Sequence, residues 1–336
     1  MTSFAVPTIK RSAVHSASQI AALIVPSARI DVWEMEAGET GWLYGVQATS
    51  LNGGGGFAGM VWNHDRFSDR ELTSIAEGTD ATALSELSAN ISNRAKPPIS
   101  RLAELALLKL ALGQVGSRPN QLTVRFYVSE LQEASSKFRT GAGMIVKKSF
   151  ATFQPGEEER RPIALDAQFL FGSWQEATSF CRKHPKLVWL EDPVPDNLWH
   201  ADPVGMLPLA TGERATSVLE VENILRHTNL MRVVAHLELS QLGPVAMAAC
   251  IESANGRNVP VIFHGHLPFD TALILDQLGV EGLIELNVPH LSERVPWPYA
   301  AGLLASLTTD GHLTITESFS ASVLSASVPV QAMKRT

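Results

Sequence analysis

Polar and apolar positions alternate along Arg29-Ile-Asp-Val-Trp-Glu-Met-Glu36, the period-two pattern of a half-buried strand. Gly38 to Gly41 supplies a turn, after which Trp42 to Ala48 can return as the second arm of a hairpin. The run Asn52-Gly-Gly-Gly-Gly56 is expected as a mobile loop, because each glycine loses the most backbone entropy on ordering. It serves either as a surface linker or as a lid whose backbone approaches a ligand. Between Ser100 and Leu112, residues Leu102, Leu105, Ala106, Leu108 and Leu112 fall at helical spacing. With Ser100 as N-cap and Gly113 as stop, they predict a helix buried on one face.

From about residue 122 the rhythm changes to short apolar runs alternating with helical segments. The runs are Leu122 to Val128, Ala142 to Val146, Pro162 to Leu165, Leu187 to Leu190, Pro208 to Ala210, Met231 to Ala235, Pro260 to Phe263 and Gly282 to Ile284. Such alternation predicts parallel strands with crossover helices, an α/β architecture, and eight units are what a closed (β/α)8 barrel of the TIM type requires. A doubly wound open sheet is the alternative. Against it, no glycine-rich dinucleotide fingerprint follows any run, and the tetraglycine stands in the wrong kind of segment for one.

Composition narrows the partners. A chain of 336 residues, 45% hydrophobic and 18% charged, is globular, with room for two domains or one barrel with additions. Lys+Arg number 27 against 34 Asp+Glu, a net charge of −7, and the basic residues come as short pairs such as Arg160-Arg161. That argues against a nucleic-acid footprint and for a small-molecule partner. The two cysteines, Cys181 and Cys250, cannot build a disulfide framework or a cysteine zinc site, which fits a reducing cytoplasm. No apolar stretch reaches the roughly 18 residues a spanning helix needs, and the brief run Ile20 to Val25 lacks a cleavage site, so no membrane anchor is expected. A homo-oligomer is expected.

The chemistry lies where the apolar runs end. Val146 leads into Lys147-Lys148, Leu165 into Asp166, Leu190 into Glu191, Ala210 into Thr211-Gly212-Glu213, Ala235 into His236-Leu237-Glu238, Phe263 into His264-Gly265-His266, and Ile284 into Glu285. On a parallel barrel these ends converge at the C-terminal mouth, where barrel enzymes keep their catalytic groups. Asp166, Glu191 and Glu213 are spaced by about one βα unit each, so they sit on neighbouring strands. Three carboxylates in one place repel unless a hard divalent cation neutralises them, and an oxygen-only set selects Mg²⁺, with Mn²⁺ as the other candidate. Glu238 and His264 are also one unit apart. A carboxylate on one imidazole nitrogen fixes the tautomer and raises the basicity of the other, so His264 is the expected base and Glu238 its orienter, with His266 and His236 as alternatives. Lys147 and Lys148 are adjacent, so only one points into the barrel, as a second acid/base or an electrostatic partner.

In combination, Leu190-Glu-Asp-Pro-Val-Pro195, Ala210-Thr-Gly-Glu-Arg214, Leu165-Asp-Ala-Gln168, Val259-Pro-Val-Ile-Phe-His264 and Ile284-Glu-Leu-Asn287 resemble the enolase superfamily, and within it the mandelate racemase-like branch. Their order and spacing agree over residues 142 to 290. The resemblance implies a capping α+β domain over residues 1–121, joined by the C-terminal segment 312–336, and a catalytic barrel over 122–311. It implies Asp166, Glu191 and Glu213 as magnesium ligands, Glu238 and His264 as the acid–base dyad, and Glu285 as the eighth-strand carboxylate facing the substrate. From the capping domain, His64 and Arg66 are expected beside an anionic group of the substrate, with His266 joining from the barrel.

Three features depart from that pattern. The family places two lysines two apart at the second strand, whereas here the pair is either Lys147 with Ser149 or Lys148 with Val146; Lys148 is taken as the inward one. The polar stretch Gln154-Pro-Gly-Glu-Glu-Glu-Arg-Arg161 leaves no room for a full second crossover helix. Glu238 stands where aspartate is usual. The expected activity is Mg²⁺-dependent abstraction of the proton α to a carboxylate through an enediolate, leading to dehydration of a hydroxy acid (a lyase). A racemase or epimerase is the alternative, and a non-catalytic barrel that kept its metal ligands is the further one.

Overall fold

The computed structural model describes residues 14–36, 42–63, 65–76, 79–117, 119, 121–129, 144–195, 209–226, 233–265, 267–287 and 312–316. The N-terminal third begins with α1 (Ala17–Ala22) and β1 (Ile24–Val25), followed by β2 (Ala28–Glu36), β3 (Trp42–Ser50) and β4 (Gly55–Asn63). The last three form an antiparallel meander, so the expected hairpin gains a third strand. Then come α2 (Asp69–Ile75), β5 (Thr82–Ala83), which pairs with β1, α3 (Leu84–Ser92) and α4 (Ile99–Gln114).

The tetraglycine has two structural jobs. Gly53 and Gly54 take φ of +93° and +88° in the tight β3–β4 turn, a left-handed region that a side chain disfavours. Gly55 and Gly56 already belong to β4, and a Cβ on Gly56 would lie 2.1 Å from the Ala106 carbonyl oxygen and 2.7 Å from the Leu110 nitrogen. The run is therefore neither linker nor lid: it lets the capping sheet press directly on the backbone of α4. That helix also corrects its expected burial. Every residue from Ile99 to Leu112 except Arg101 is buried, because α4 is covered by β3 and β4, by α3 and by a barrel helix at once. Ser100 lies inside the helix, which starts after Pro98.

The barrel strands are β6 (Gln121–Ser129), β7 (Val146–Ser149), β8 (Ile163–Asp166), β9 (Leu190–Glu191), β10 (Leu209–Thr211), β11 (Val233–Leu237), β12 (Val261–Phe263) and β13 (Leu283–Asn287). Each pairs in parallel with the next, and β13 pairs in parallel with β6, so the sheet of eight closes on itself into a TIM-type (β/α)8 barrel. The crossover helices described are α5 (Trp174–Lys183), α6 (Val218–Leu225), α7 (Leu239–Gly256) and α8 (Pro268–Leu278). Between β7 and β8 only a 3-10 turn, Glu157–Glu159, stands where a helix would be, in line with the polar composition there. Finally β14 (His312–Thr316), the described part of the C-terminal segment, runs antiparallel to β6. Capping region and barrel meet through α4, which packs on α7 and sends Lys109 to Asp270 of α8 in a buried ion pair at 2.7 Å.

Candidate active site

One side chain from each barrel strand, or from the residue just before it, meets the others in a single buried cluster: Tyr127, Ile145, Ala164, Trp189, Ala210, Val234, Ile262 and Leu283. Strand alternation then puts the residue two places on at the C-terminal rim of the same inner face. Those residues include Lys147, Asp166, Glu191, His236, His264 and Glu285. Glu213 is out of phase with this ring. Gly212 takes the inward place with φ +119° and brings the chain so near β11 that a Cβ would sit 2.9 Å from the His236 carbonyl oxygen.

The same parity corrects the lysine assignment. Lys147, not Lys148, points inward, because the strand places Ile145 in the central cluster and so Lys147 above it. Its ammonium donates to Glu191 Oε1 at 2.8 Å and to Glu285 at 3.0–3.1 Å, and lies 3.9 Å from Asp166 Oδ2. Burial disfavours the cation, but Glu191, Glu285 and Asp166 outweigh it and hold the Lys147 pKa well above the ordinary lysine value. Lys148 turns to the outer layer and donates to both carboxylate oxygens of Glu157 at 2.8 Å. Ser149 shares the inner phase of Lys147, and its hydroxyl lies 3.2 Å from Thr152 Oγ1.

On the opposite side His264 Nδ1 meets Glu238 Oε2 at 2.6 Å, and Nε2 lies 3.8 Å from Glu285 Oε2. Glu238 is also the N-cap of α7, its Oε1 accepting from the Ser240 N–H at 2.7 Å. The glutamate arm thus serves the helix start with one oxygen and the imidazole with the other. Burial disfavours an imidazolium, yet the charge of Glu285 and the Glu238 hydrogen bond raise the His264 pKa to about 10. Glu285 is fully buried; against that burial, Lys147 and the charged His264 hold its pKa down to about 2.

The other inward imidazole, His236, is fully buried, and burial lowers its pKa to about 4, so it is neutral. Its Nδ1 lies 3.5 Å from Glu191 Oε1 and 3.7 Å from Glu213 Oε2 and has no hydrogen-bond partner among the described residues. One ligand atom from each of Glu191, Glu213 and His236 lies within 4.8 Å of the others, a spacing that fits a divalent cation. Asp166 stands beside this group, its Oδ1 accepting from the Gln168 N–H at 3.0 Å. Burial and the charge of Glu191 raise its pKa to about 6.

Arg66 is held on the capping sheet by Glu34 and Asp69 and stacks over Trp42 at 5.5 Å. His64 and His266 lie outside the described residues. Two site residues were not singled out from sequence. Tyr127 donates to Glu285 Oε2 at 3.2 Å, and Trp189 Nε1 to Glu191 Oε2 at 3.3 Å. The signal for both was their period: each lies two residues before an inward rim position.

No protein-family model matches the sequence, and no curated protein matches it. Solved structures do match in fold. A racemase from Streptomyces coelicolor A3(2) with bound magnesium is 15% identical with a TM-score of 0.59, over 86% of this chain and 93% of that one. An L-talarate dehydratase from Polaromonas sp. JS666, complexed with Mg and L-glucarate, is 16% identical with a TM-score of 0.56, over 78% and 86%. A member of the enolase superfamily from Agrobacterium tumefaciens is 12% identical with a TM-score of 0.61, over 87% and 95%. The chain has the fold of the enolase superfamily.

Proposed function

We propose that this chain is a divalent-metal-dependent enzyme of the enolase superfamily, in its mandelate racemase-like branch, that removes the proton α to the carboxylate of a small hydroxy acid and eliminates water. The observation that carries the reading is the His264–Glu238 pair, bonded at 2.6 Å, with His264 on the same inner rim as Glu191, Glu285 and Lys147. Glu191 and Glu213, with Asp166 beside them, would hold the divalent ion. Bound there, a divalent cation supplies a Lewis acid for the negative charge that develops on the substrate carboxylate, and its charge opposes an imidazolium at His264.

The chain's own groups do the rest. Glu238 occupies Nδ1 of His264, which leaves Nε2 as the nitrogen that exchanges a proton with substrate. Glu285 and the Glu238 hydrogen bond favour a protonated His264 in the metal-free protein, so positive charge held at Glu191 and Glu213 would favour the neutral ring that accepts the α-proton. The Lys147 ammonium, kept charged by three carboxylates, stabilises negative charge and does not accept a proton. Racemisation needs a base on each face of the α-carbon. Lys147 is ion-paired with Glu191 and Glu285, and Ser149 stands in the phase of the second family lysine, so His264 is the base that this reading uses, which favours elimination. His264, once protonated, can return that proton to the departing β-hydroxyl.

The test is a panel of hydroxy diacids, including glucarate, incubated with the magnesium-loaded protein. Dehydration yields a keto acid that is trapped as its semicarbazone and read by absorbance. Formation of the α-epimer with no keto acid would overturn the assignment as a lyase.

A further inference from the structure

We infer that His236 Nδ1 is a ligand of the metal, so that the site is a mixed nitrogen–oxygen one that takes first-row transition ions such as Mn²⁺ or Co²⁺ in preference to Mg²⁺. The inference rests on the metal-dependent reading above and concerns which ion serves it. A site held by three carboxylates on β8, β9 and β10 has no nitrogen donor. The geometry here centres one strand further on, at Glu191 of β9, Glu213 after β10 and His236 of β11.

The tautomer of His236 follows from its neighbours. The Tyr127 hydroxyl has one proton and donates it to Glu285 Oε2 at 3.2 Å. Toward His236 Nε2, in a long contact of 3.4 Å, it therefore presents a lone pair, and the ring proton belongs on Nε2. Nδ1 is then a bare lone pair in a fully buried ring, aimed at two carboxylate oxygens at 3.5 and 3.7 Å with no hydrogen between them. Lone pairs facing one another around a buried imidazole repel, and a cation among them reverses the sign. The spacing agrees, since two ligands each about 2.1 Å from a common ion stand roughly 3–3.5 Å apart at tetrahedral or octahedral angles. The far nitrogen of a metal-bound histidine characteristically donates to a partner that fixes the ring, and Tyr127, itself tied to Glu285, is placed to be that partner. Imidazole among carboxylates shifts preference from magnesium toward the transition ions.

The experiment is pulsed EPR on the full chain loaded with one equivalent of Mn²⁺, with calorimetric titrations of Mn²⁺ and Mg²⁺ alongside. The wild type should show a directly coordinated nitrogen, and the signal should change to that of ¹⁵N when the protein is grown with ¹⁵N-histidine. His264→Gln should keep the coupling. His236→Gln should lose it and bind Mn²⁺ about tenfold or more weakly, with a smaller loss for Mg²⁺. If His236→Gln does not fold, the labelled wild type and His264→Gln decide the question. Stoichiometric Mn²⁺ without nitrogen coupling would overturn the role of His236 while leaving a carboxylate-held metal in place. Absence of any stoichiometric binding of either ion would overturn the metal-dependent reading itself.

Discussion

Replacing Lys147 by methionine keeps the length of the side chain and deletes the one cation that Glu191 and Glu285 share. Both carboxylates are essentially fully buried, at 1% and 0% side-chain exposure, and Lys147 is bonded to them at 2.8 and 3.0–3.1 Å. Removing one partner of a buried ion pair leaves an uncompensated charge and costs about 3–5 kcal/mol. In metal-free protein, Lys147→Met should therefore lower the unfolding free energy by about that amount. A saturating divalent ion stabilises both forms, by about 2.7 kcal/mol at about 100 times its dissociation constant, so it reduces the loss only as far as it binds the variant more tightly than the wild type. Lys148→Met is the control. Its partner Glu157 is near the surface and keeps the Gln154 N–H at 3.2 Å, so the cost should be about 1 kcal/mol. Urea unfolding in EDTA, repeated with Mg²⁺ and Mn²⁺, reads both variants. Equal losses for the two lysines would refute the placement of Lys147 between the carboxylates.

At Gly56, an added methyl meets the α4 backbone, so Gly56→Ala should destabilise by about 1–3 kcal/mol in urea melts, whereas Gly113→Ala, whose new Cβ meets nothing within 4 Å, should be neutral or stabilising. For His264 the folded pKa is raised to about 10 from 6.5. Its contribution to the stability of metal-free protein is thus complete below pH 6.5 and is lost as the pH rises toward 10; Glu238→Gln should flatten that part of the profile, and an unchanged slope would contradict the pairing. The buried Lys109–Asp270 pair joins α4 to α8, so Asp270→Asn alone should cost about 3–5 kcal/mol by chemical denaturation, with the Lys109→Met, Asp270→Leu double change recovering much of it.

The eight strands could be read from sequence because a parallel strand is apolar on both faces and seven of the eight runs lead into ionisable groups. What could not be read was phase. The sequence places the second run at Ala142 to Val146, but the strand spans Val146–Ser149, and the inward phase is set by Ile145 belonging to the central cluster with residues of the other strands. That long-range contact chooses Lys147 over Lys148. His236 was weighed only as another base, although its period with Glu238 marked both as inward. Its position against Glu191 and Glu213 depends on the turn at Gly212, a feature of backbone φ and not of spacing. The glycine run shows the same limit. Composition reports how easily a segment bends, while the reason for Gly56 is a helix fifty residues away in sequence. The capping helix α4 has an apolar stripe in sequence but is covered nearly all round, because sheet, helix and barrel each take one side.

His264 is proposed to move a proton at the carbon α to a carboxylate. Metal-loaded wild-type protein incubated with hydroxy diacids in deuterated water should place deuterium at the α-carbon of recovered substrate or product, read by mass spectrometry and NMR. His264→Asn should lower that exchange by about 10²–10⁴-fold while still binding the metal. Exchange at the wild-type rate in metal-loaded His264→Asn would contradict the account.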